Sequence, residues 1–394
     1  MPSFQYPFCC GFLMRLQKQW RCLLLCIWTG VAMCGLGSAQ AQSIGPAKES
    51  IAAASFADMQ QQVAVASARA AAWNGPQSGP PGAQGKTVAI LCEDLRNGGI
   101  LAVAQGIQEA AKVLNWSVKV FDAGGSAAGR SKASADALAA TPDGLILVGA
   151  DAKVMQPLLV PFAERGVAVV GWHVSPKSGP VASSAVAVNV STDPLAVARI
   201  TATAAVVASH GKAGVVIFTD SNFEIAMAKA NAMAEVIRAC KGCALLEIRD
   251  VAISKSAQQM PTVTRELIAK YGKRWTHALA INDIYYDYAV PELINAGPVG
   301  SAISLLSAGD GSAAAFMRIQ AKTFQTGTVA EPLNLHGWQL VDELNRRLMQ
   351  QPVSGYVIPV HLVTANNIAF DGGPRLQYDP DNGYRDIYRR IWKR

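Results

Sequence analysis

From residue 86 onward the chain alternates short, unbroken apolar runs with longer stretches in which apolar residues recur every three or four positions. The first pair sets the pattern. Residues 87–92 (TVAILC) are a β-branched apolar run of the kind a strand covered on both faces requires. A polar loop follows at 93–99. Ile100, Val103, Ala104, Ile107, Ala110, Ala111 and Leu114 then share one side of a helix, with Gln105, Gln108, Glu109 and Lys112 on the other. The same rhythm predicts strands at 118–121, 144–148, 167–171 and 186–190, with helices at 131–140 and 154–165 between them. Asp193-Pro194, an acidic cap before a first-turn proline, opens a second series. It holds strands at 214–218, 245–249, 277–281, 303–307 and 324–329, and helices at 193–210, 224–240, 260–271, 285–296 and 313–320. A helix at 335–349 and a strand at 357–362 then cross back, before a polar, aromatic C-terminal arm.

Two consecutive strand–helix series predict an α/β chain of two similar doubly wound parallel-sheet lobes, joined by hinge strands with a ligand cleft between them. The first lobe takes 86–190 plus 333–357, and the second 191–332 plus 358–394 with the tail. In such sheets ligands sit beyond the carboxyl ends of the strands. That rule places Asp94, Arg96 and Asn97 at a ligand after strand one, Trp172 and His173 after strand four, and Asn222 and Phe223 after the first strand of the second series. Tyr285, Tyr286 and Tyr288 open a helix and read as packing residues.

The segments before residue 86 belong to neither series. Arg15, Lys18 and Arg21 precede an apolar core at 22–36 and a small-residue cleavage site at 38–41, the layout of an exported protein's signal peptide. Met14 serves as a start as well as Met1 does. The segment reads as a signal and not a membrane anchor, and the large residues before Cys26 and Cys34 argue against a lipid-modified cysteine. Residues 42–85 form an arm: an Ala-rich helix at 51–72, then a Pro/Gly-rich linker at 73–81 that Trp73 is placed to pin to the surface.

Composition narrows the function. With 394 residues, 51% hydrophobic and 16% charged, the chain is long enough for two cores. Its formal net charge of +7 falls to +4 without the three leader cations, and no Lys/Arg run remains, which argues against nucleic acid as a partner. Five of the eight cysteines lie in the leader. Of the rest, Cys92 sits in a strand as a buried thiol, while Cys240 and Cys243 close a helix end as a C-x-x-C, expected as a local disulfide in an oxidising compartment. No P-loop, G-x-S-x-G or H-E-x-x-H motif occurs, and Gly124–Gly129 lacks dinucleotide-loop spacing. No catalytic constellation emerges, so the chain reads as a capture protein and not an enzyme. His173 has no second ligand near it in sequence, so neither a metal nor a cofactor is expected.

The segments 87–111 (TVAILCEDLRNGGILAVAQGIQEAA), 280–297 (AINDIYYDYAVPELINAG) and 305–312 (LLSAGDGS) resemble the type I periplasmic solute-binding proteins, in the sugar-binding branch that feeds ABC importers. The resemblance spans about 86–364. It implies ligand contacts from Asn282 and Asp283, from Asp310 in the Gly-Asp-Gly turn, and from Glu331 before the return crossing. It departs after strand four: many members carry Asp-Arg there, where this chain has Trp172-His173, an indole for a sugar face and an imidazole for hydroxyls. What the resemblance implies is a monomeric periplasmic protein. It would close two lobes on a sugar, polyol or sugar derivative and dock on the importer's membrane subunits. A ligand-sensing subunit of a membrane receptor and an exported α/β enzyme are the rival readings. Transcriptional regulators of the same fold carry an N-terminal DNA-binding module where this chain has its leader and arm.

Overall fold

The computed structural model describes residues 55–394, so the expected signal peptide and both candidate start residues lie outside it. Helix α1 (Phe56–Ala66) comes first. The first series is β1 (Thr87–Cys92), α2 (Gly98–Val113), β2 (Ser117–Asp122), α3 (Ala127–Ala139), β3 (Gly144–Val148), α4 (Ala152–Glu164), β4 (Ala168–Trp172), β5 (Gly179–Pro180) and β6 (Val186–Val190). The second is α5 (Pro194–Ala208), β7 (Gly214–Thr219), α6 (Glu224–Ala239), β8 (Ala244–Asp250), α7 (Ser256–Tyr271), β9 (His277–Ala280), α8 (Ile284–Asn295), α9 (Pro298–Ser301), β10 (Ser304–Ser307), α10 (Ala313–Gln320) and β11 (Gln325–Val329). Helix α11 (Leu333–Leu348), β12 (Leu362–Thr364) and α12 (Tyr384–Trp392) complete the chain.

The apolar runs are buried because helices cover both faces of each sheet. Strands β3, β7 and β9 are buried along their whole length, and β1 everywhere but Thr87. All seven apolar positions expected on the inner side of α2 are buried. Asn97 caps α2 by accepting from the Gly99 amide, and Asp193 caps α5, with Pro194 in its first turn.

The two sheets have the same order. The first runs β2-β1-β3-β4-β6-β5, and the second, read from its β8 edge, β8-β7-β9-β10-β11-β12. Pairing is parallel except at one edge of each, where β5 and β12 run antiparallel to their neighbours. Each sheet therefore has its chain reversal beside its first strand, between β1 and β3 and between β7 and β9, the place where such sheets bind ligands.

Three expectations need correction. The run 357–362 is not a strand. Ile358 packs into the first lobe's core, Val360 against the second and Leu362 within it, so these residues are apolar to seat a crossing between two cores, and only Leu362–Thr364 pairs. The tail does not belong to the second lobe alone: Tyr384, Tyr388 and Trp392 of α12 pack into the first lobe's core with Trp338 of α11. The arm's helix stops at Ala66 instead of extending through the alanines to 72.

Candidate functional site

The carboxyl ends of both sheets converge on one cavity of about 350 Å³. From the first lobe it is walled by Glu93, Asp94 and Asn97 after β1, by Arg130 of α3, and by Trp172 at the end of β4 and His173 just after it. From the second come Asp220, Asn222 and Phe223 after β7, Lys229 of α6, Asn282 after β9 and Asp310 after β10. Ile100, Ile225, Ile253 and Ile281 supply apolar wall between these polar groups. The lobes touch around the cavity. A Cβ built on Gly99 would lie 2.2 Å from Asp310 Oδ2, and one on Gly125 would lie 2.6 Å from Ser254 Cβ. Only glycine permits these approaches. At the surface Lys153 of α4 donates to Glu224 of α6 across the cleft at 2.9 Å.

Not every predicted residue reaches the cavity. Arg96 does not line it: its side chain turns outward, clamps Asp94 through Nε (2.8 Å) and Nη2 (2.6 Å), and is 63% exposed. Asp283 is fully buried behind the wall, where the Gly311 and Ser312 amides (2.8 and 3.0 Å), Gln325 Nε2 (2.8 Å) and the Ser307 hydroxyl all donate to it. Four donors converge there, so it holds the 309–312 turn and positions Asp310. It does not cap α8; Asn282 Oδ1 accepts the Ile284 amide instead. Glu331 also lies behind the wall. It accepts from His173 Nε2 at 2.8 Å and from the Thr192 amide at 3.4 Å, with Lys229 Nζ 3.9 Å away. It thereby ties two lobe crossings to a side chain of each lobe.

Trp172 lines the cavity, but one face of its indole is already covered by the His173 ring, stacked at 3.6 Å and 11°. Its Nε1 donates to His336 Nδ1 at 3.0 Å. His336 is thus neutral with its proton on Nε2, an atom with no partner, and burial holds its pKa down at about 4. Tyr285 and Tyr286 are packing residues whose hydroxyls donate to backbone carbonyls of Val251, and of Ala278 and Leu306.

Five charged residues that sequence reasoning passed over are on the wall: Glu93, Arg130, Asp220, Lys229 and Lys255. Glu93 and Arg130 form a two-point pair (2.8 and 2.6 Å), and burial raises the Glu93 carboxyl against the pull of Arg130. Asp220 accepts the Asn222 and Ile253 amides and Asn222 Nδ2, ordering its own loop. Lys229, 3% exposed, has one hydrogen bond, to Ala308 O at 2.8 Å, leaving ammonium protons for the cavity. Glu93 was legible as the first residue past β1. Nothing in the local sequence marks a lysine in the middle of α6.

The free valence of the cavity centres on Asp310. Its Oδ2 accepts Asn282 Nδ2 at 2.7 Å, while Oδ1 is 3.9 Å from His173 Nδ1. Burial raises its pKa to about 6, against the opposing pull of His173 and Lys229. Glu331 goes the other way: burial would raise it, but His173 and Lys229 bring it to about 2. His173, Asp310 and Glu331 offer ligand atoms within 4.8 Å of one another, so the fold supplies the neighbours that His173 lacks in sequence. Lys229 already places a positive charge beside them. Away from the cavity, Cys240 and Cys243 are disulfide-bonded at the C-terminus of α6, and burial lifts the Cys92 thiol to about 12.

Solved structures with the same fold include three sugar- or polyol-related binding and transporter proteins. A myo-inositol binding protein from Caulobacter, bound to myo-inositol, is 20% identical over 74% of this chain and 96% of its own, with a TM-score of 0.63. An ABC transporter solute-binding protein from Agrobacterium vitis with bound allitol is 17% identical over 73% and 97%, TM-score 0.61. A sugar ABC transporter protein from Yersinia enterocolitica is 15% identical over 79% and 95%, TM-score 0.65. No curated protein matches in sequence. The family model described as a periplasmic binding protein domain matches residues 88–351, most of both lobes and the whole wall of the cavity, and the chain belongs to that family of binding proteins.

Proposed function

We propose that this protein captures a small neutral sugar or polyol in the cavity between its lobes and delivers it to the membrane subunits of an ABC importer. The observation that carries the reading is the wall itself. Hydrogen-bonding side chains from both sheets, among them Asn97, Asn222, Asn282, Asp310, Arg130 and Lys229, alternate with isoleucine and phenylalanine around about 350 Å³. That is the small end of ligand cavities, roughly 300–1,000 Å³, and a sugar needs this mixture of C–H contact and paired donors and acceptors. Allitol and myo-inositol in the neighbours support the same class.

The charges favour a neutral ligand. Glu93 is paired with Arg130, Asp94 with Arg96, and Lys229 lies 3.9 Å from Glu331, while Asp220, Asp310 and Lys255 add charges of both signs. The wall therefore offers directional bonds and no excess of one sign large enough to demand a charged ligand. Asp310 accepts hydroxyl protons from one side, and Asn97 Nδ2 and Lys229 donate from others. Because the contacts come from both lobes, a ligand that touches both favours their closed arrangement by its differential affinity. The signal peptide directs the mature chain, from Gln42, to the periplasm, where it works as a monomer and the Cys240–Cys243 bond survives.

The test is thermal unfolding of the mature protein against sugars, polyols, sugar acids and amines. A ligand bound only by the native state raises Tm, so one or more neutral sugars or polyols should shift it by several degrees. A shift with amines or sugar acids alone would overturn the assignment.

A further inference from the structure

The arm (55–85) and the tail (365–394) lie outside the matched family region, and each is anchored on both lobes. Three passages join the lobes without them, at 191–193, 330–332 and 349–361. On the arm, Met59, Val63 and Ala66 of α1 pack into the second lobe's core. Seven residues past Ala66, Trp73 lies against Tyr356 and Tyr388 of the first lobe's core, with ring centroids 5.2 and 5.5 Å apart. Arg346 and Asn345 of α11 then bind the carbonyls of Ser78, Pro80 and Pro81.

The tail repeats the arrangement. Ile368 and Tyr378 pack with Phe316 and Ile319 of the second lobe, whereas Tyr384 and Trp392 are in the core of the first. The link between them is stiffened at Asp379, which accepts from Tyr384 Oη and Arg385 Nη2, both at 2.9 Å. Arm and tail are also fastened to each other at both ends. Asn367 Nδ2 donates to Ser67 O (3.2 Å) and Arg69 sits 4.6 Å over the Phe370 ring on the second lobe, while the Gly82 amide donates to Trp392 O (3.0 Å) on the first. None of these residues lines the cavity.

We infer that arm and tail form a two-stranded strap that limits how far the lobes open. A segment fixed at both ends lets its anchors separate only until its slack is used, so rotation about the three other passages must extend the strap or detach an anchor. The inference rests on the two-lobe closure of the proposed function and sets its amplitude. Its consequence is slow ligand exchange: the lobes part further when α1 or Trp73 lets go, and the cavity gives full access only when the tail also releases one lobe.

The test is an interlobe distance in the mature chain. Nitroxides on Ser131→Cys in α3 and Gln258→Cys in α7, both exposed, flank the cavity, while Cys92 is buried and Cys240 and Cys243 are bonded. With no added ligand, the parent should give one narrow distance distribution. Trp73→Ala together with Asn74→Ala, which also removes the acceptor to which Tyr356 Oη donates at 2.7 Å, should lengthen the mean by about 5 Å, well inside the ~17 Å that the five residues 74–78 can span. The surface pair Arg69→Ala with Phe370→Ala, which breaks an arm–tail contact on the second lobe and leaves every lobe anchor in place, should keep the parent's distance. Identical distributions in the parent and the Trp73→Ala, Asn74→Ala variant would overturn the inference, as would a parent already as broad as that variant or a surface variant that opens as far. A ligand screen that found nothing would sink the proposed function and leave these distances unchanged.

Discussion

Replacing Asp310 by asparagine should stabilise the protein and cripple its binding. The carboxyl titrates near 3.8 in an unfolded chain and at about 6 in the folded one, because it is buried. At about 1.4 kcal/mol per unit, keeping it ionised costs the folded state on the order of 3 kcal/mol, an upper figure for a group this buried. The sign follows from the raised pKa. The folded state holds the proton more tightly, so the cost is absent below about pH 4, grows between 4 and 6, and is complete above 6. Asp310→Asn removes it and keeps an oxygen for Asn282 Nδ2. At roughly 2 °C per kcal/mol for a chain this long, its Tm at pH 8 should exceed the parent's by about 5 °C, and the two should coincide at pH 3.5. Ligand affinity at pH 8 should fall at least tenfold, because an amide accepts hydroxyl protons less strongly than a carboxylate. Scanning calorimetry from pH 3.5 to 8 reads the first effect. A Tm gain that persists at pH 3.5, or none at pH 8, refutes the reasoning.

Glu331→Gln should do the opposite. Its carboxyl is lowered from 4.5 to about 2, so it contributes stability above pH 4.5 that is lost as pH falls towards 2. The variant should unfold at about 3 kcal/mol less than the parent near pH 7 in denaturant titration, since His173 and Lys229 lose their counter-charge; a loss under 1 kcal/mol would contradict its place at the hinge. Ligand affinity of the parent should be flat above pH 6 and fall by up to tenfold per unit below it as Asp310 protonates, and an affinity that rises on acidification would contradict an accepting role. Lys153→Ala should change affinity less than threefold, because the Lys153–Glu224 pair is largely exposed and screened by solvent; a tenfold loss would make it a true latch.

Much of the fold could be read from periodicity. Unbroken runs such as 87–92 and 144–148 are buried on both faces, and helix-spaced runs such as that of α2 bury the expected side. The misreadings arise where a residue is apolar for another reason: 357–362 seats a crossing, and α12 is a helix that completes the first lobe's core from the far end of the chain. The site was legible to the level of the loop but not of the side chain. Position after a strand brings Asn97, His173, Asn222 and Asp310 to the cavity. It does not say that Arg96 turns back on Asp94, that Asp283 faces a nest of donors, or that Glu331 stands behind His173. Those outcomes depend on partners 2 to 158 positions away. Arg130 and Lys229 sit inside helices, where only the packing of one lobe against the other reveals that they face a cavity.

The central claim is that Asp310 and its neighbours hold a neutral sugar or polyol between the lobes. Isothermal titration calorimetry of the parent and of Asp310→Ala, at pH 8 with the strongest stabiliser from the thermal screen, tests it most directly. The parent should bind one equivalent at micromolar Kd, about −8 kcal/mol, and the variant at least tenfold more weakly while still unfolding cooperatively. Equal affinity in both proteins would place the ligand elsewhere and contradict the account.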